Sequence, residues 1–379
     1  FGFLRMGTTG FVAQAEGAGD EEELRATLGR AAALALALGV ALLALQGPLL
    51  GAALWMLDGP EGVQDTAARY CFVRIWGAPA ALMSFALLGT LVGLGRSRDL
   101  LIVQLSLNGL NIALDVVLAG YLGWGAVGVG LGTAVAEWVA VVIAGLLILR
   151  VLRRRGAVPT PWRRLRDLRS LLSTLSAHRD ILLRTLSLLL GFGWFIQQSA
   201  RFGDAPLAAN HVLLQLIGFA AFFIDGFAFA TEALVGKAMG AGDRALLDRA
   251  VLRTSEQALL AALLLAGAFW LSGQAIIDAL TTLEPVRAVA RAHLVYAVAY
   301  VALSAFAFQL DGVFIGATRT GAMRNAAIAA LAVFLGLGWW LAPAWGNTGL
   351  WLAFVGYVVA RAVTLAVVYP RLRAAVAPS

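Results

Sequence analysis

Long apolar stretches, interrupted at near-regular intervals by short polar ones, run from one end of the chain to the other. Runs of about 20 residues or more, enough to cross a bilayer at 1.5 Å per residue, fall at about 28–46, 70–95, 100–121, 126–150, 181–202, 206–236, 254–277, 288–315, 326–343 and 348–369. The opening FGFLRMGTTGFVAQA has the pattern of the second part of one more. The pattern predicts ten full spanning helices and one partial helix.

One of these runs breaks the apolar rule in a regular way. LIVQLSLNGLNIALDVVLAGY, residues 101–121, has no Lys or Arg but carries Gln104, Asn108, Asn111 and Asp115. At about 100° per residue these four lie within roughly 60° of one another on a helix. A carboxylate at the centre of a spanning helix costs about 2.5–3.5 kcal/mol on insertion scales. Such a residue faces a cavity or partner and marks an ion or substrate path, or it makes a polar contact between helices. Arg5 and Glu137 also fall near mid-membrane, and Arg5 is expected to pair with Asp115 or Glu137. In the later part of the chain, His211, Gln215, Asp225 and Glu232 share an arc of about 100° on helix 206–236. Gln197, Arg201 and Asp311 lie on neighbouring runs. This second cluster reads as a further ion site or as a charge-balanced latch.

Composition supports the spans. The chain of 379 residues is 60% hydrophobic and 13% charged, with a mean hydropathy of +0.83, whereas soluble domains carry about 25% charged residues. The net charge of +7 is distributed by topology and is no nucleic-acid footprint. Arg25 and Arg30, Arg96 and Arg98, nine arginines between 150 and 179, Arg244, Arg249 and Arg253, Arg319 and Arg324, and Arg371 and Arg373 sit in alternate connections. The other connections, 47–68, 121–125, 203–205, 278–287 and 343–347, hold only Arg287. The positive-inside rule places the arginine-rich set, and the C-terminus, in the cytoplasm. Cys71 is the one cysteine, so no internal disulfide is possible. His178, His211 and His293 make no metal-ligand spacing, and neither GxxxxGK[ST] nor HExxH occurs. No cofactor is expected, and no nucleophile–base pair marks an enzyme. Trp55, Trp76, Trp124, Trp345 and Trp351 fall near predicted outer ends, where interfacial aromatics sit.

The chain also repeats itself. Ala18-Gly19-Asp20 recurs as Ala241-Gly242-Asp243, and Gly93 and Arg96 recur as Gly316 and Arg319, both 223 residues on; Gly125-x-x-Gly128 recurs as Gly346-x-x-Gly349, 221 residues on. Two parallel repeats are the simplest reading. Subtracting the offset from the opening of the second repeat predicts a first lobe that lacks its first helix and part of its second. The expected organisation is a first lobe over 1–150, a cytoplasmic linker over 151–179 and a second lobe over 180–379. PWRRLRDLRSLLSTL in the linker reads as an amphipathic helix on the membrane surface.

FLRMGTTG with AQA and GAGD, NIALD, GWG, AANHVLLQ, FFIDGFAFATEALVG and QLDGVFIGATR together resemble the DinF-like branch of the MATE (multidrug and toxic compound extrusion) transporters. The resemblance spans essentially the whole chain. It implies two pseudo-symmetric six-helix lobes, alternating access, and antiport of an amphipathic or cationic organic compound against protons or sodium. It also implies roles for Asn111, Asp115 and Thr133, which match that family's first-lobe proton network. The sodium-using branch has a Glu early in its seventh helix. The matching LSLLLGFGWFI has no acid, which favours a proton, while Asp311 matches an Asp of that branch and keeps sodium open. The expected protein is a proton-coupled exporter of the bacterial inner membrane, acting as a monomer on small organic substrates within the lipid bilayer. A flippase for a lipid-linked precursor and a non-transporting membrane scaffold are the other readings.

Overall fold

The computed structural model describes residues 1–57, 60–156 and 162–376. Every regular element among them is helical. In chain order these are α1 (Phe3–Gly17), α2 (Glu21–Ala44), α3 (Gln46–Leu57), α4 (Glu61–Arg74), α5 (Ala78–Gly93), α6 (Ser97–Asp115), α7 (Gly125–Arg154), α8 (Trp162–Leu165), α9 (Leu168–Ala200), α10 (Asp204–Ala241), α11 (Arg244–Leu280), α12 (Glu284–Gly316) and α13 (Thr320–Ala374). All ten predicted spans fall on helices; 326–343 and 348–369 are both within α13, which is kinked at Gly346 (φ 57°, ψ −135°). The chain is a polytopic all-α membrane protein. It divides into two compact units, Phe1–Thr174 and Leu175–Ser379.

The repeat is visible in the element boundaries. Shifting α11 and α12 back by 223 residues gives 21–57 and 61–93, which are the limits of α2 plus α3 and of α4 through α5. The first unit breaks what the second leaves continuous. The α2–α3 break at Leu45 lies just before Pro48, which cannot donate to the carbonyl four residues back. Between α4 and α5 the backbone tightens into a 3-10 turn, Ile75–Gly77. The connection expected at 47–68 is therefore mostly helix, built of Leu and Ala that favour it; residues 58–59 of it lie outside the described residues.

Inside each unit the repeat fixes the same close crossing. A Cβ at Gly89 of α5 would lie 2.4 Å from the Arg5 carbonyl of α1, and one at Gly312 of α12 would lie 2.8 Å from the Ala228 carbonyl of α10. Only glycine lets the backbones approach this closely. Asp20 and Asp243 cap the following helices, accepting from the amides of Glu23 at 3.0 Å and Leu246 at 2.8 Å. The second unit adds an aromatic core: Phe195, Phe334, Trp351, Phe354 and Tyr357 are fully buried.

Two expectations need correction. The amphipathic helix predicted over 161–175 is interrupted: Asp167 accepts from the Ser170 amide at 2.9 Å and starts a new helix, α9, which runs on to Ala200. Before that break, α8 is tied to the first unit, with Arg164 on Asp20 at 2.5 Å and the Arg30 guanidinium on the Arg164 carbonyl at 2.9 Å. Residues 157–161 of the expected linker and 377–379 of the expected second lobe lie outside the described residues. Trp351 is not an interfacial aromatic. It is 0% exposed, its indole N–H donates to Asn210 Oδ1 at 2.8 Å, and its ring packs edge-on against Phe195.

Candidate functional site

The polar stripe on α6 divides between two places in the first unit. Asn111 and Asp115 sit half-buried at the end of the helix, against α7. The Thr133 hydroxyl donates to the Val129 carbonyl at 2.9 Å, which commits its hydrogen and leaves a lone pair. The Asn111 amide donates to that oxygen at 3.0 Å and to Asp115 Oδ1 at 3.4 Å. Gly132 makes room for the carboxylate: a Cβ there would lie 2.7 Å from Asp115 Oδ1. Directly after Asp115 the backbone opens into a π-helical turn, Val116–Tyr121, and the Leu122 amide reaches back five residues to the Val117 carbonyl at 2.9 Å. Such turns are frequent at functional sites because they re-aim side chains and loosen a helix locally. The three residues expected to work together are in contact.

Gln104 faces elsewhere, into a cavity of about 720 Å³ that Cys71, Arg74, Ser84 and Glu137 also line. Asn108 is exposed. Glu137 does not take Arg5 as its partner. Arg74 of α4 meets it in a two-pronged pair at 2.8 and 2.6 Å, and Gly77 leaves the space that this pair fills, since a Cβ there would lie 2.5 Å from Glu137 Oε2. Arg5 is buried in α1.

The second cluster is not one site. Gln197, Arg201, His211 and Gln215 are exposed, Asp225 is half-buried and Glu232 is buried. Asp311 is buried and engaged by Arg184 of α9 and by Arg361 of α13, the latter at 2.8 Å. Both arginines interrupt otherwise apolar runs, a signal that was available in the sequence. Two further networks in the second unit were not foreseen. Gln309 joins Thr231, at 3.0 Å, to Thr254. Asn210 donates to Ser199 and to Asn347, each at 2.7 Å. Among the described residues no group of His, Cys, Asp and Glu could hold a metal ion.

This arrangement, a polar site on a broken spanning helix in one of two repeated helical units, has known counterparts. The profile of the MatE family matches residues 1–117 and 186–340. The chain belongs to the MatE family. It is 37% identical over 373 residues to DNA damage-inducible protein F of Escherichia coli, covering 97% of this chain and 80% of that protein. It is 36% identical over 254 residues to the probable multidrug resistance protein NorM of Deinococcus radiodurans, covering 63% of this chain and 52% of that one. Among solved structures, a MATE protein in its bent conformation aligns with a TM-score of 0.90 at 21% identity, over 98% of this chain and 84% of the other. An outward-facing multidrug resistance MATE transporter of the MOP superfamily aligns with 0.89 at 21% identity and the same coverage. This MatE chain is thus a member of a family of multidrug efflux transporters, not of enzymes.

Proposed function

We propose that this MatE protein exports amphipathic or cationic organic compounds across the bacterial inner membrane by alternating access, in exchange for protons, with its C-terminus in the cytoplasm. The observation that carries the reading is the Asn111–Thr133–Asp115 contact at the start of the π-helical turn. Asp115 is the one carboxylate of the α6 stripe, and no arginine is printed against it as Arg74 is against Glu137. It is free to exist in two protonation states, each favouring a different local packing. Neutral, it needs only the Asn111 amide and the space at Gly132. Charged, it requires water or a cation, because a bare carboxylate is costly in an apolar setting. A ligand that binds one state better than the other shifts the balance of conformations, and an inward proton supplies about 2.3 kcal/mol per 100 mV of membrane potential. The E. coli and D. radiodurans relatives are in keeping with export of this kind.

Asp115→Asn tests the proposal. It keeps the shape and hydrogen-bonding capacity of the side chain and removes the titratable proton. Export of a cationic dye from everted vesicles should then no longer respond to an imposed pH gradient, while dye binding persists. Wild-type gradient-driven export by Asp115→Asn would refute it. Replacing sodium with choline at fixed pH should leave wild-type export unchanged.

A further inference from the structure

The two units share a pocket that transport does not require. In the first unit a cavity of about 350 Å³ is lined by Arg96 and Asp99 at the start of α6 and by Leu147, Arg150, Val151 and Arg154 near the end of α7. In the second unit a cavity of about 460 Å³ is lined by Arg319 and Ala322 at the start of α13 and by Val368, Arg371 and Leu372 near its end. These are the same positions. Arg96 and Asp99 become Arg319 and Ala322 at an offset of 223, and Leu147, Arg150 and Val151 become Val368, Arg371 and Leu372 at an offset of 221. Both offsets are those of the internal repeat, the second applying after the Gly125/Gly346 kink.

Each pocket is cationic beyond its own needs. Arg96 is met by Asp99 at 2.7 Å, but Arg150 and Arg154 make no ion pair with a described residue. In the second unit Ala322 replaces the acid, and neither Arg319 nor Arg371 is paired with a described residue. The neighbouring Arg373 is met by Asp248 at 2.6 Å, so the local acid is spent on a different arginine. The position matching Asp248 in the first unit is Arg25. Arg25 donates to the backbone carbonyls of Leu152 and Gly156, at 3.1 and 3.0 Å, and adds positive charge. An uncapped helix N-terminus opens beside each arginine pair, which adds to the attraction for an anion.

The surroundings decide which anion. On the same helices, Leu146 and Leu149 in the first unit and Val363 and Val367 in the second are exposed. An arginine-lined pocket at the arginine-rich end of a spanning helix, continuous with an apolar strip along that helix, fits a headgroup phosphate with its acyl chain alongside. Guanidinium groups match phosphate oxygens in geometry as well as charge, and basic pockets between spanning helices take anionic headgroups. We propose that each unit binds one anionic phospholipid by its phosphate, through Arg96 and Arg150 in the first and through Arg319 and Arg371 in the second.

Native mass spectrometry of the full chain released from nanodiscs of mixed phosphatidylglycerol and phosphatidylcholine tests this. Two phosphatidylglycerol molecules should be retained per chain. Arg319→Gln with Arg371→Gln should remove one, and Arg96→Gln with Arg150→Gln should remove the other. The lipid kept at the untouched pocket shows that each variant is folded. Equal retention of phosphatidylcholine, no retention, or a lipid count unchanged by both double variants would overturn the proposal. Replacement of the retained lipid by millimolar inorganic phosphate, with phosphate adducts in its place, would mark the pockets as free-phosphate sites and overturn the lipid assignment.

Discussion

Gly132 is the residue whose role is largest for its size. It has no side chain to contribute, yet it sets how close α7 comes to the Asp115 carboxylate, because an added Cβ would fall 2.7 Å from Oδ1. Gly132→Ala should push that carboxylate off the Asn111 amide and lower gradient-driven export about tenfold, equivalent to ~1.4 kcal/mol, without loss of protein from the membrane. Dye efflux normalised to the amount of inserted protein measures it. Asn111→Ala should act in the same direction and less strongly, since Thr133 remains. Thr318 carries the opposite kind of signal. It holds φ 53°, a left-handed conformation that costs a β-branched residue about 1–2 kcal/mol. The repeat places Gly95, at φ 70°, in the same turn of the first unit. Thr318→Gly should therefore stabilise the protein by about 0.5 kcal/mol after the glycine's greater unfolded-state freedom is counted, read as a small rise in melting temperature. Asn111, Asp115 and Thr133 were legible in the sequence because a helical stripe of amides in an apolar run has few innocent explanations. Gly132 and Gly77 were not, because their importance lies in what they leave empty.

At the scale of elements, two carboxylates start helices in matching places. Asp20→Ala and Asp243→Ala each remove a capping oxygen from a helix of more than twenty residues and should each cost about 1 kcal/mol in thermal unfolding. Asp20 has a second role. Burial pushes its pKa up, but the hydrogen bond from Arg164, the Glu23 amide and the Arg164 charge together hold it below the ordinary 3.8. A depressed carboxylate pKa contributes stability that is present above the ordinary value and is lost as the pH falls through the folded value. Asp20→Asn keeps a capping oxygen without the charge. It should be less stable than wild type at pH 7, and the two should converge below about pH 4; melting curves across that range check the sign. Hydrophobic periodicity located every span, because an apolar run of bilayer length permits little else. It misjudged 47–68 because a short apolar stretch with a proline reads as a connection, whereas here Pro48 only breaks one long helix into two. It also missed the start of α9, where the cap at Asp167 overrides an amphipathic pattern that continues past it.

For the whole molecule, the frame is repeated and the chemistry is not. The 223-residue offset relates crossing glycines, helix caps and arginine-lined pockets in the two units, and these features follow from packing and from the membrane boundary. The intramembrane charges do not obey it. Position 115 becomes Gly338, and Asp311 corresponds to Leu88, so each unit holds its acids in its own way. The sequence could show that Asp311 lies within a span, but not that Arg184 and Arg361, 127 and 50 residues away, converge on it. That convergence separates the two acids by function. Asp311 is 7% exposed, and its arginines are 7% and 6% exposed; removing one partner of a buried ion cluster strands the others and costs about 3–5 kcal/mol. Asp311→Asn should therefore sharply lower the melting temperature and the amount of inserted protein, while the molecules that do insert still export in response to a pH gradient. Asp115→Asn should do the reverse, losing the gradient response at nearly unchanged stability. Both quantities are needed for both variants, because export alone confuses a protein that does not fold with one that does not couple. An Asp311→Asn protein that melts like wild type and has lost the gradient response would move the ion site to the second unit.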